Sequence, residues 1–125
     1  MKFLSYELAK QLQDAGFPEY WKDRYSFDDL ICMSMDFEVP QIFQVKSVPY
    51  FLSRGYIMLP SFEDIMQDEL MRGFAYQALP EPLVYNSTKP YKDQISFSGA
   101  SAVEAAARAW LFLHDKKKQD GSLSV

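Results

Sequence analysis

Leu4, Leu8 and Leu12 recur one helical turn apart, with Ala9 and Ala15 beside them and Glu7, Lys10, Gln11 and Asp14 opposite. That is the stripe of an amphipathic helix. Ser5 is its candidate cap, Gly16 gives a left-handed exit, Phe17 folds back and Pro18 blocks continuation. Farther on the period shortens. Ile31, Met33, Met35 and Phe37 alternate with Cys32, Ser34, Asp36 and Glu38, the pattern of a half-buried strand with Phe37 on the inner side. Val39-Pro40 interrupts it, and Ile42, Phe43 and Val45 suggest a second extended piece. Tyr50-Phe51-Leu52 and Tyr56-Ile57-Met58-Leu59 then flank Ser53-Arg54-Gly55, which reads as a tight turn between strands.

Pro60-Ser61-Phe62-Glu63-Asp64 opens a second helix, with Ser61 as cap and Asp64 closing a capping box. Phe62, Ile65, Met66 and Leu70 share its apolar face, and Gly73 ends it. Phe74–Ala78, Leu83–Tyr85 and Ile95–Ser98 read as strands around a proline-rich loop at Pro80, Pro82 and Pro90. The last helix starts at Ser101, with Glu104 reaching back to the cap's own amide. Its buried positions are Val103, Ala106, Ala107, Trp110, Leu111 and Leu113, and Lys116, Lys117 and Lys118 complement its negative end. The order is helix, strands, helix, strands, helix. It predicts an α+β fold: three helices on a small, mainly antiparallel sheet, one domain over residues 1–118, and a flexible tail over 119–125.

Composition narrows the chemistry more than it suggests any. The chain has 125 residues, of which 48% are hydrophobic and 16% aromatic, enough for a core built from rings. A formal charge of −4 disfavours nucleic acid or a membrane surface as the general partner, since both demand a positive field. A lone cysteine, Cys32, excludes an internal disulfide. The start meets Glu7 where a signal peptide would be apolar, and no apolar run is long enough to span a bilayer, so the sequence reads as cytoplasmic.

Among reactive groups, one His and one Cys cannot build a zinc site, and no cofactor motif is present. His114 reads as a helix-end residue, and Asp64 with Asp68, one turn apart, as a solvated face without a third metal ligand. Cys32 sits among apolar neighbours, as inert cysteines do. No nucleophile elbow or phosphate loop occurs. The recognition candidate is the ring-and-charge segment Tyr20, Trp21, Lys22, Arg24 and Tyr25, whose aromatics could anchor a partner or simply cover the sheet.

Three stretches carry a family resemblance: Glu7–Leu12 running to Ala15-Gly16-Phe17-Pro18, then Leu59-Pro60-Ser61-Phe62-Glu63-Asp64-Ile65, and Gly99 through Leu113. With them the chain resembles small uncharacterised α+β proteins of phage, prophage and mobile elements in gut bacteria. There the last stretch usually reads Gly, cap, Pro-Glu-Glu-Ala and then Leu-Trp-Leu. Here Ala102-Val103 replaces Pro-Glu and Ala109 precedes Trp110-Leu111. The shared pieces are helix starts and packing faces, so the resemblance implies architecture and origin and transfers no catalytic residue.

The expectation is therefore a non-enzymatic accessory or interaction protein of mobile-element origin, with no cofactor and a protein partner. A homodimer through a sheet edge or aromatic patch is compatible with it. The alternatives are a nucleic-acid-associated phage protein, or modulator of a DNA-binding factor, and, less favoured, a small metal-dependent hydrolase.

Overall fold

Side-chain caps and glycine exits set most helix limits in this protein. The structure, a computed structural model, describes residues 3–17 and 25–119. It is α+β, with four α-helices and two antiparallel three-stranded sheets among those residues. No helix among them is long and apolar enough to cross a membrane. Contacts divide the chain into two units, Phe3–Pro60 and the residues from Ser61 onward.

The first unit begins with α1 (Tyr6–Asp14), where the Ser5 hydroxyl accepts the Leu8 amide at 3.3 Å. At its other end Gly16 takes φ 101°. The Gly16 and Phe17 amides then return to the carbonyls of Gln13 and Leu12, a complete Schellman closure. Pro18 lies outside the described residues. Strand β1 (Leu30–Ser34) is central, between β2 (Gln41–Gln44) and β3 (Ile57–Met58). Its register sets Ile31 opposite Phe43, Cys32 opposite Ile42 and Met33 opposite both Gln41 and Met58. Ile31, Met33, Val45, Val48 and Met58 form the core cluster, and Tyr25, Phe43, Phe51, Leu52 and Tyr56 pack against it.

Two expectations fail in this unit. Tyr50-Phe51-Leu52 is not a strand: it belongs to α2 (Val48–Ser53), which follows a 3-10 turn at Val45–Ser47. Pro49 suits the first turn of a helix, where its missing N–H costs nothing. Gly55 at φ 93° closes the helix as Gly16 closes α1, with the Tyr56 amide donating to the Phe51 carbonyl at 3.0 Å. The alternation that begins at Ile31 also stops at Ser34, and Phe37 is not inward-facing.

The second unit opens with α3 (Phe62–Met66). Its capping box is complete: the Ser61 hydroxyl accepts the Asp64 amide and the Asp64 carboxylate accepts the Ser61 amide, each at 3.1 Å. Ser61→Ala should cost about 1 kcal/mol in a urea titration. The helix is shorter than its apolar stripe predicts, because Asp68 accepts the Leu70 amide and starts a separate 3-10 turn at Glu69–Met71. Strands β4 (Phe74–Gln77), β5 (Leu83–Asn86) and β6 (Ser96–Ser98) pair in chain order. The single sheet expected from the sequence is thus two, one in each unit.

Helix α4 (Ala102–Gln119) packs on α3, β5 and β6. Ser101 accepts the Glu104 amide at 3.3 Å as expected. The Glu104 carboxylate, however, takes the amide of Ala100 rather than that of the cap, and pairs with Arg108 at 2.6 Å. This junction leaves no room at Gly99, where an added Cβ would lie 2.9 Å from the Ala105 nitrogen and 3.0 Å from the Glu104 side chain. Backbone on one side and a doubly engaged glutamate on the other cannot give way cheaply. Gly99→Ala should therefore destabilise by about 1–3 kcal/mol, read as a lower urea midpoint. His114 is not at the helix end. It stacks on Trp110 with centroids 4.9 Å apart and an interplanar angle of 14°, while the last turn carries Lys116, Lys117 and Lys118.

Candidate partner-binding surface

Ser34 ends β1 as a buried polar residue. Its hydroxyl lies 3.1 Å from the carbonyl oxygens of both Met35 and Glu38, so one proton serves the two ends of the turn that follows. The Glu38 amide donates to the Met35 carbonyl at 2.9 Å, closing that turn. From the core side the Tyr56 hydroxyl donates to the Glu38 carboxylate at 3.3 Å. Desolvation first, and then the charge of Glu38 and the hydrogen bond to it, push the Tyr56 phenol up from its ordinary value. The proton that makes the bond therefore stays on the phenol at neutral pH and is lost only as pH rises past the ordinary phenol value of about 10.

This bracing holds Phe37 in an unusual state. Its φ is 63°, a left-handed conformation that an L-residue with a bulky side chain resists because Cβ crowds the carbonyl oxygen. Its side chain gains nothing in return within the fold, since the residue is 99% exposed. The alternation misassigned Phe37 because a positive φ reverses the chain with no glycine to announce it.

Apolar neighbours extend the surface. Val39 is 79% exposed and Ile42 54%, and Phe27 and Leu30 are exposed as well. The β1–β2 register places Leu30, Cys32, Ile42 and Gln44 on one face, opposite the core-facing Ile31, Met33 and Phe43. Asp28, Asp29, Asp36 and Glu38 are exposed around these residues. From Tyr25 through Val45 the chain has those four carboxylates and no Lys, Arg or His. That run of missing cations was a readable sequence signal for the surface.

Of the residues expected to bind, Tyr20, Trp21, Lys22 and Arg24 lie outside the described residues. Tyr25 is half-buried and packs against the core cluster of the first unit, so part of its ring serves the fold. Burial pushes the Cys32 thiol up from its ordinary value, away from the thiolate that nucleophilic chemistry requires. Asp64 and Asp68 spend carboxylate oxygens on backbone amides. No group of three or more His, Cys, Asp or Glu side chains among the described residues could hold a metal ion. No family model matches the chain, and neither does any curated protein or solved structure.

Proposed function

We propose that this chain is a non-enzymatic interaction protein that captures a protein partner through the turn displaying Phe37. The observation that carries this reading is the braced, left-handed, fully exposed phenylalanine. Residues that break a local rule without repaying the fold concentrate at functional sites, and a backbone already braced in one conformation loses little entropy when its side chain enters a partner's pocket. The surrounding carboxylates would repel nucleic-acid phosphates, which favours a protein over the nucleic-acid alternative. Origin in a phage or mobile element belongs to the same proposal, on the three helix-start stretches quoted above.

Phe37→Gly separates binding from folding. Glycine keeps the left-handed conformation without the Cβ penalty of about 1–2 kcal/mol, and its extra chain entropy takes back roughly 0.5–1 kcal/mol. Stability should stay level or rise by up to about 1.5 kcal/mol. A random peptide library displayed on phage and panned on the wild type should yield clones that fail on Phe37→Gly. No enrichment, or equal enrichment on both proteins, would overturn the reading, as would marked destabilisation of the variant.

A further inference from the structure

We infer that the partner segment is a basic, extended peptide that adds as a strand to the outer edge of β2, an inference that rests on the interaction reading above and specifies its ligand. The hydrogen-bonding phase of the sheet supports it. The Val45 amide donates to the Asp29 carbonyl at 2.9 Å. Antiparallel ladders alternate bonded and non-bonded pairs, so Phe43 and Gln41 also turn their amides toward β1. Ile42 and Gln44 turn theirs the other way. On the far side of β1, the Leu59 amide donates to the Cys32 carbonyl at 2.8 Å, which agrees with this phase. No strand among the described residues pairs with the outer edge of β2.

Natural sheets protect such edges with lysines, prolines or short length. Here Pro40 stands just before the strand, the strand has four residues, and Lys46 lies beyond its end. Within β2 the exposed side chains are Gln41, Ile42 and Gln44. An incoming strand would set its side chains beside Ile42, and Leu30 continues that apolar face on β1.

Charge selects the occupant. Asp28 and Asp29 precede one end of β1, and Asp36 and Glu38 lie in the turn at the other. The strand between them spans roughly 17 Å at about 3.4 Å per residue. A segment with Lys or Arg at both ends and alternating β-branched residues between them meets carboxylates at each end and apolar surface in the middle. An acidic strand meets repulsion twice. Strand addition supplies affinity through the backbone, and the end charges supply choice.

The test uses the full chain and the fluorescent probe Lys-Arg-Val-Thr-Val-Thr-Val-Arg-Lys, with a control in which Glu replaces each cation. The cationic probe should bind at least roughly tenfold more tightly than the control at low salt, a preference that shrinks as salt screens the charges. The double variant Asp28→Lys with Asp36→Lys leaves one carboxylate beside one lysine at each end, and should abolish that preference. On saturation with probe, the Ile42 and Gln44 amides should exchange with solvent at least roughly tenfold more slowly, while Phe43, already bonded within the sheet, should change little. Absence of binding, equal affinity for the two probes, or binding without protection at Ile42 and Gln44 would each overturn the inference. So would protection that appears with rising protein concentration and no probe, which would assign the edge to a second copy. If panning yields Phe37-dependent clones that are acidic or leave those amides unprotected, the strand inference fails and the interaction reading stands. If no clone depends on Phe37, the interaction reading fails, and the strand inference with it.

Discussion

Trp110→Ala should remove about 3–5 kcal/mol of stability, the largest loss expected from one substitution in this chain. The indole is 5% exposed on α4, and the loss falls toward the top of that range for a local reason. Side chains one turn earlier on a helix share its face, and here those are Ala106 and Ala107, both fully buried. Alanine has no side-chain torsion, so neither can swing into the space the ring vacates. A cavity that cannot collapse costs more than the transfer of the deleted atoms alone. His114 also loses the surface on which it stacks. Urea unfolding followed by far-ultraviolet circular dichroism measures the change without relying on the deleted chromophore. A loss under about 1 kcal/mol would mean that the helix does not depend on the ring for its seat.

Met33→Ala should cost the first unit about 2–5 kcal/mol, at the lower end of that range. Met33 has no exposed surface and sits in the central strand, opposite Gln41 on one side and Met58 on the other. Its cluster contains Met58 and, packed against it, Leu52 and Phe51. Flexible thioethers and leucines can lean into a gap as alanines cannot, so part of the cavity should close. Met33→Leu keeps nearly the same volume and should stay within about 1.5 kcal/mol of the wild type. Backbone amides of β1, followed by hydrogen exchange, should lose protection in the alanine variant and retain it in the leucine variant. Equal losses in the two would show that the position needs methionine itself rather than volume.

Helix starts were legible wherever one side chain and one nearby amide decide them. Ser5, Ser61 with Asp64, and Ser101 act over three or four residues, and the interaction is complete within the sequence window that displays it. Tyr50-Phe51-Leu52 reads as extended although it lies in the helix Val48–Ser53, because Val48, Phe51 and Leu52 make a helical stripe of a single turn, too short to distinguish from an apolar strand. Asp68 misled in a different way. As a polar residue on the outer face it fits a continuing helix, yet its carboxylate is close enough to cap a new turn and end the old one. The division into two sheets was illegible because pairing joins residues distant in sequence. For the site, the rings and charges of Tyr20 to Tyr25 are the conspicuous signal in the sequence, and the described part of that segment, Tyr25, leans on the core. Phe37 was hidden by its own pattern: it continues an alternation the backbone has already left. What marks it is a dihedral angle, and a sequence carries no direct sign of that.

The run of carboxylates without a cation also bears on any approach of two copies of this chain. Two copies approaching edge to edge along β2 would bring Asp28, Asp29, Asp36 and Glu38 of one against the same four residues of the other. Backbone complementarity favours that sheet-extending contact, and like charge opposes it. The charges that would draw a basic segment to this edge thus weigh against a second copy of the chain there. It follows that removing these charges, rather than adding any apolar surface, is the shortest route from this protein to a closed pair, since β2 set against β2 uses the same edge of both copies.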